Sequence, residues 1–225
     1  MGSTGKKSNI SDPFQGHLGE RVDVDSVLSR LSDINANNLI NPSKDRVNCA
    51  LCVSATILNA VFGYDVEAMP RDKTWRGPDS LIDVDYSNPD NFMISGSRYR
   101  LAGFPSRDEI VNEYKVNPDD MPITPKGANA VSKTIIDKVK RWGEDSLGML
   151  AVRWKGSGAH IITVFNQDGN VYGYDPQINR VIYDLKSYLA TTVATRTDLA
   201  RVDNATIKDN IDKNTLDKMV KKRKK

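Results

Sequence analysis

Three residues of this 225-residue chain have the side chains of a nucleophile, a base and an orienting carboxylate. Cys49 follows Asn48 at the predicted start of a helix, where unpaired backbone N–H groups and the helix dipole favour an anion. The thiolate is the nucleophilic form of cysteine, and a helix N-terminus is one of the settings that favour it. His160 and Asp175 lie further along, in a predicted pair of strands. A histidine oriented by a carboxylate is the base that such a nucleophile requires.

The predicted strand pair is joined by Asp168-Gly169, a dipeptide typical of two-residue hairpin loops. With that loop, His160 faces Gln177 across the pair. By the same register Ile162 faces Asp175. Because side chains alternate between the two faces of a strand, these residues share a face, and His160 and Asp175 are diagonal neighbours within reach of a hydrogen bond. A slip of one residue would turn one of them to the other face.

The elements that must position these residues follow from hydrophobic spacing. Helices are predicted at about 25–34, 48–62, 106–114 and 127–141, and Gly63 is expected to end the second of them. Strands are predicted at 64–68, 149–154, 159–166, 170–175 and 181–183, and a helix with a short strand at 184–204. The proline-containing stretch 64–105 is otherwise irregular, as binding or covering segments often are. A helix opening with cysteine and followed by a meandering antiparallel sheet predicts an α+β fold.

Composition indicates one globular domain with flanking extensions, since 39% of the residues are hydrophobic and 27% charged. We expect a loose leader at 1–24, a folded domain at 25–204 with its core at 41–200, and a polar, basic tail at 205–225. The six cations of residues 218–225 turn a charge of −3 for the rest of the chain into the overall +3. A generally basic nucleic-acid-binding surface is therefore not indicated, and the tail is expected to be solvated.

The two cysteines, Cys49 and Cys52, are three positions apart on one predicted helix, which does not suit a disulfide. Cys52 is a turn deeper and is expected to pack as a small apolar residue. No segment has the length of a membrane span or the apolar region of a Sec signal peptide. The protein is accordingly expected in the cytoplasm as made, with delivery to a target cell or packaging in a phage particle left open.

Several segments together resemble the papain-fold toxin domains of bacterial polymorphic toxins and some phage proteins. They are 48–55 (NCALCVSA), 63–68 (GYDVEA), 158–164 (GAHIITV) and 174–177 (YDPQ). The resemblance covers roughly 41–180. It implies a papain-like fold and a glutamine deamidase or related peptidase-like activity on proteins, with no cofactor or metal. It also implies a neutralising immunity protein as a partner.

By position, the resemblance makes Cys49 the nucleophile, His160 the general base and Asp175 its orienting partner. Gln177 also follows the motif. Papain-type enzymes commonly carry an oxyanion-stabilising Gln shortly before the cysteine, and 41–48 contains none. Asn48, Asn41 or backbone N–H groups at the helix start could replace it.

The chemistry that such a site supports is attack of the thiolate on an amide carbonyl, loss of the amine or ammonia, and release of a thioester by water. Glutamine deamidation and cleavage of a peptide or isopeptide bond share this path. Transglutamination differs in using an amine instead of water. The sequence leaves the choice among them open.

Three alternatives also remain open. The first is a zinc site, which needs four ligands, and the chain could supply them from Cys49, Cys52, His160 and His17, although His17 lies in the leader. A non-enzymatic structural or phage-particle protein that retains a papain-like fold is the second. A nucleic-acid-binding module based on the basic end is the third.

Overall fold

The computed structural model describes residues 14–72, 77–96 and 99–223. The predicted leader up to residue 13, Trp75 and Arg76 of the irregular stretch, and Lys224 and Lys225 of the basic end lie outside the described residues. The helices of the described part are α1 (Gln15–Leu18), α2 (Val27–Asn37), α3 (Cys49–Ala60), α4 (Arg107–Tyr114), α5 (Ala128–Trp142), α6 (Leu185–Ala190) and α7 (Lys213–Met219). The strands are β1 (Val66–Ala68), β2 (Ile82–Asp83), β3 (Phe92–Met93), β4 (Leu147–Trp154), β5 (Ala159–Gln167), β6 (Asn170–Asp175), β7 (Arg180–Ile182), β8 (Thr192–Arg201), β9 (Thr206–Ile207) and β10 (Val220–Lys222).

Six strands form one antiparallel sheet in the order β3-β8-β4-β5-β6-β7. Strands β4 to β7 follow one another as a meander, as predicted. The short strand expected within 184–204 is instead the ten-residue β8, which pairs with both β4 and β3. Its length was underestimated because the alternation of polar and apolar residues is weak in the first half of the strand, 192–196.

The hairpin between β5 and β6 has the predicted register. Gln167 lies opposite Asn170, and Thr163 opposite Tyr174. Asp168 and Gly169 both have positive φ, at 52° and 71°, as the two central residues of a type I′ turn require. The loop therefore fixes the alignment of His160 with Asp175, about fifteen residues of chain apart but close in space.

Two apolar layers cover the two faces of the sheet. On β4, Met149 and Ala151 belong to the layer that contains α3, while Leu150 and Val152 belong to the layer that contains α5 and α6. The alternation follows from the period of two in a strand. Because α3 is buried along its length, its first turn is held in a fixed position relative to the sheet.

Helix α3 ends at Ala60, slightly before the predicted Gly63. Gly63 has a φ of 74°, and a Cβ built on it would lie 2.0 Å from the Val22 carbonyl oxygen. The Val22 N–H donates to the Gly63 carbonyl at 2.8 Å. Glycine is therefore required here by backbone contact with the segment that precedes α2, as well as by the left-handed conformation.

The expectation of a solvated tail is wrong for the region of α7 and β10. Leu216, Met219 and Val220 are buried, and β10 pairs with β1. The Lys221 ammonium lies 2.8 Å from a Glu67 carboxylate oxygen. A few apolar residues separated by polar ones are enough to attach this segment, and two of its described basic residues, Lys221 and Arg223, lie beside the acidic residues Glu67 and Asp65.

Part of the predicted leader is also packed. Phe14 and Leu18 are buried, and the Phe14 ring meets Tyr64 edge to face, with 5.9 Å between ring centroids. His17, which lies in the predicted leader, forms a contact with the Asp217 carboxylate on α7. The described helices include none with the length and apolarity needed to cross a bilayer.

Candidate active site

Cys49 is the first residue of α3, as predicted, and its thiol is half-buried and outside any disulfide. The first backbone hydrogen bond of this turn runs from the Cys52 N–H to the Asn48 carbonyl, at 3.0 Å. The N–H groups before it have no carbonyl partner within the helix. Together with the helix dipole, they create a local field that favours a thiolate at Cys49.

His160 lies at the start of β5 and bonds to Asp175 at the end of β6. The distance between His160 Nε2 and Asp175 Oδ2 is 2.7 Å, and the two side chains are 11% and 8% exposed. The second carboxylate oxygen of Asp175 accepts the backbone N–H of Gln177 at 3.0 Å. Asp175 is therefore held at both oxygens, and it fixes the plane and tautomer of the imidazole.

The Cys49 thiol and the His160 ring line the same cleft. Burial favours the neutral imidazole, but the interactions with Asp175 and Cys49 outweigh burial and raise the pKa of His160 to about 9. The ring is therefore an imidazolium at neutral pH. An imidazolium between a carboxylate and a sulfur stabilises the sulfur as an anion and holds a proton that can be given to a leaving group.

Cys52 has a different environment from Cys49. It is fully buried, and its Sγ donates to Asn48 Oδ1 at 3.3 Å. Burial raises the pKa of the Cys52 thiol, and the nearby charges of Cys49 and Asp175 raise it further. The prediction that Cys52 packs as a small apolar residue is confirmed, and a neutral, enclosed thiol is a poor nucleophile.

Asn48 stands at the predicted cap position, but its side chain makes no capping hydrogen bond. Its Nδ2 donates to Asn41 Oδ1 and to the Met69 carbonyl, both at 3.1 Å. Its Oδ1 accepts from Cys52 and from Gln177 Nε2. Asn48 thus connects the start of α3 to three other segments, with both hydrogens of its amide already bound to protein oxygens.

Gln177 reaches the same site from the end of β6. Its Nε2 lies 3.3 Å from Asn48 Oδ1, and its backbone carbonyl accepts from Asn41 Nδ2 at 2.8 Å. The other hydrogen of the Asn41 amide goes to the Asp45 carbonyl, at 3.0 Å. The structure therefore brings together all five residues predicted for the site, and Asn41 joins two of them, Asn48 and Gln177.

A cleft of about 520 Å³ opens beside Cys49. Residues from the segment before α3, from the β4–β5 hairpin and from the end of β6 line it. They are Arg46, Val47, Asn48, Cys49, Ala50, Leu51, Arg71, Trp154, Gly158, Ala159, His160, Asp175 and Gln177. The space is large enough to admit a side chain with part of its backbone.

Trp154 was not identified from the sequence. Its ring stacks on His160 at 6.1 Å between centroids and an interplanar angle of 23°, and Tyr188 packs against it at 5.3 Å. The Trp154 N–H donates to the Gly158 carbonyl at 3.1 Å. The register of the β4–β5 hairpin pairs Val152 with His160, so Trp154, two residues further along β4, lies diagonally next to His160. This register is the sequence signal that could have identified Trp154. Its ring covers the imidazole and reduces contact with water, which strengthens electrostatic interactions there.

The four residues considered for zinc do not meet. His17 contacts α7, away from the cleft. Within the residues that the structure describes, no group of three or more His, Cys, Asp or Glu side chains is arranged to hold a metal ion. The geometry therefore gives no support to the zinc alternative.

Comparison with protein families gives a match over residues 47–180 to the family described as papain fold toxin 1, glutamine deamidase. Comparison with the curated proteins and with the solved structures found no match in either. The matched range contains the helix of Cys49, the strands of His160 and Asp175, and more than half of the chain. The mixed α+β architecture of the chain, with a helix packed on an antiparallel sheet, agrees with a papain-like fold. The chain therefore belongs to the papain-fold toxin family of glutamine deamidases.

Proposed function

We propose that this chain is a protein glutamine deamidase with Cys49 as nucleophile, His160 as proton carrier and Asp175 as the residue that orients His160. The observation that carries the proposal is the buried imidazole of His160, which bonds to the Asp175 carboxylate and lines the same cleft as Cys49 at the start of α3. Membership of a deamidase family supports the same reaction class.

In the first half of the reaction, the Cys49 thiolate forms a bond to the carboxamide carbon of a glutamine side chain. The carbonyl π electrons move to oxygen, giving a tetrahedral anion. When this anion collapses, the C–N bond breaks and the imidazolium of His160 gives its proton to the nitrogen, which leaves as ammonia. A thioester and a neutral His160 remain.

In the second half, neutral His160 takes a proton from water as the water oxygen attacks the thioester carbon. The C–S bond then breaks, which restores the Cys49 thiolate beside a protonated His160 and leaves a glutamic acid side chain on the substrate. Asp175 keeps the ring oriented through both halves and stabilises the imidazolium.

The tetrahedral anion needs hydrogen-bond donors. The backbone N–H of Cys49 points out of the start of α3, where no helical carbonyl accepts it. Gln177 Nε2 has a second hydrogen beyond the one directed at Asn48, and Gln177 lines the cleft. The amide hydrogens of Asn48 and Asn41 are already used, so we assign the oxyanion donors to the Cys49 N–H and Gln177.

The test uses the full chain with two probes, an N-acylated Gln-Gly dipeptide and unfolded casein. Ammonia release is measured first, and peptide mass mapping of casein then locates each change. Conversion of Gln to Glu without new chain ends supports deamidation, and its absence from Cys49→Ala assigns the nucleophile. New peptide termini would replace deamidase with protease, whereas incorporation of an added primary amine would indicate transglutamination. A folded chain inactive in all three assays would favour the structural-protein alternative.

Family membership also supports two biological proposals. As a toxin, the chain would act after delivery into a target cell, and a neutralising immunity protein would protect the producing cell. The toxin proposal is tested by expressing the chain in a bacterial host. Growth arrest by the unaltered chain, and normal growth with Cys49→Ala, is the expected result. Equal growth with both chains would contradict the toxin assignment.

A further inference from the structure

The charges that face the cleft are distributed unevenly between its walls. One wall carries two guanidinium groups, on Arg46 before α3 and on Arg71 after β1. Arg46 is exposed and Arg71 is half-buried. Among the described residues that line the cleft, Asp175 is the one carboxylate, and its side chain is enclosed and bound to His160. Among the described residues of the lining, the exposed charged side chain is therefore that of Arg46.

Asp45 joins the backbone beside Arg46 to the backbone of Arg71. One of its carboxylate oxygens accepts the Val47 N–H at 2.9 Å, and the other accepts the Arg71 N–H at 2.8 Å. Both oxygens are thus turned to backbone groups, and Asp45 does not line the cleft. Its charge offsets part of the charge of the wall, but the groups at the surface are the guanidinium groups.

The opposite wall offers no such charge. It consists of Trp154, Gly158 and Ala159, which present an aromatic ring and small residues. Lys155 follows Trp154, and its ammonium is directed at the Ala190 carbonyl, at 2.6 Å, rather than into the cleft. A segment lying across the cleft therefore meets cations on one side and apolar or small groups on the other.

We propose that the cleft selects a glutamine that has acidic residues beside it, with the exposed Arg46 as the residue that determines this specificity and Arg71 adding to the positive charge of the same wall. The substrate class, a glutamine beside acidic residues, rests on the proposed deamidase function. The preference of the cleft for anions does not, because it follows from the positions of the charged side chains. Guanidinium groups pair with carboxylates in a planar, two-point geometry, and exposed charges at a binding rim act mainly on encounter and selection.

The first experiment measures the electrostatic potential at Cys49 through its alkylation rates, so it needs no substrate. Cys49 of the full chain is alkylated with iodoacetate, an anion, and in parallel with neutral iodoacetamide, and the ratio of the two rates is compared among variants. Arg46→Glu, alone or with Arg71→Gln, is expected to lower this ratio by about threefold to tenfold at low salt, with less effect at high salt. Arg141→Glu is the matched control, because Arg141 is an exposed arginine on α5 near the other end of β4.

A ratio that stays at the unaltered value in both cleft variants, or falls equally in Arg141→Glu, would overturn the proposal. Thermal unfolding of each variant verifies that it is folded, and Arg46→Glu alone decides the question if the double change destabilises the chain.

The second experiment compares two peptides of the same length, with the central glutamine flanked by glutamates in one and by lysines in the other. The unaltered chain is expected to favour the acidic peptide in kcat/KM by about tenfold or more, and Arg46→Glu to reduce or reverse the preference. Equal rates with both peptides would contradict the acidic substrate class. If neither peptide is deamidated, the proposed function fails for these substrates, and the alkylation ratio still decides whether the cleft selects anions.

Discussion

Two of the clusters in the described part of the molecule pair a cationic side chain with acidic residues, and they differ in what lies next to them. The cleft cluster consists of Cys49, His160 and Asp175. The arginine cluster consists of Asp79, Arg100 and Glu109, in which Arg100 contacts Asp79 and bonds to Glu109 through Nε at 2.9 Å and Nη2 at 2.6 Å. The first places its cation beside a thiol and an open cleft, whereas no member of the second lines that cleft.

Both clusters shift the pKa values of their members. In the arginine cluster, burial raises the pKa of Asp79 in spite of Arg100. The pKa of Glu109 is lowered to about 2, because its bonds to Arg100 and Ser106 outweigh burial. Glu109 completes the capping box of α4 with Ser106. The arginine cluster thus closes a loop and starts a helix. A shifted pKa alone does not identify a reactive site, and the adjacent nucleophile and open space make the difference.

The largest contrast between the clusters is expected from removing the nucleophile. Cys49→Ala should lower deamidation by at least about a thousandfold, since the thioester route is lost. Its unfolding temperature should stay near that of the unaltered chain, because Cys49 is half-buried at the edge of the core. Cys52→Ala is the control, with activity retained and some stability lost at a fully buried position. Loss of activity in Cys52→Ala and not in Cys49→Ala would reverse the assignment.

His160→Ala and Asp175→Asn test whether the cleft cluster works as a unit. Each should reduce kcat by about a hundredfold to ten-thousandfold, and the double variant should be little worse than His160→Ala alone. Steady-state rates of ammonia release measure this. Independent losses that multiply in the double variant would mean that Asp175 does not act through His160.

The pH dependence of activity sharpens the comparison further. The pKa of His160 is raised from 6.5 to about 9. Protonated His160 therefore stabilises the folded chain fully below pH 6.5, and this contribution is lost as the pH rises through about 9. Because the departing ammonia takes this proton, kcat/KM should fall as pH passes about 9. In Asp175→Asn the fall should begin at lower pH, since the bond to Asp175 is the larger favourable interaction. An upper limit that does not move in Asp175→Asn would contradict this origin.

The smallest effect on activity is expected in the arginine cluster. Arg100→Ala leaves Asp79 and Glu109 without their shared cation, and should lower the free energy of unfolding by about 1–2 kcal/mol. The loss is this small because the Arg100 guanidinium is half-exposed and water screens its charge. Denaturant unfolding measures it. Deamidation should be nearly unchanged, and a large loss of activity in a folded Arg100→Ala chain would show that this region contributes to the site.

The position of His160 beside Asp175 was predictable from sequence because it depends on one local hairpin. The Asp168-Gly169 turn sets the register of two adjacent strands, and that register brings His160 to Asp175. The helix of Cys49 has a long apolar run whose start is marked by Asn48. The role of Asn48 itself was less predictable, because its partners Asn41, Met69 and Gln177 come from separate segments.

The ends of the chain could not be predicted, since their pairing is distant and short. Strand β10 joins β1 through three residue pairs across some 150 residues, and β9 joins β2 through two. Strands of two or three residues have no recognisable period of their own. In a polar segment, isolated apolar residues such as Leu216 and Met219 give little sign that tertiary contacts bury them.

The central claim is that Cys49 is a nucleophile activated by His160, and thiol reactivity tests it most directly. The full chain and His160→Ala are treated with iodoacetamide over a range of pH, and peptide mass mapping reports each cysteine. The account predicts that Cys49 reacts rapidly even at about pH 6, where a free thiol with a pKa of about 8.5 is slow, that Cys52 stays unmodified, and that His160→Ala removes the rapid reaction. Equally slow modification of both cysteines, unchanged in His160→Ala, would contradict the catalytic assignment.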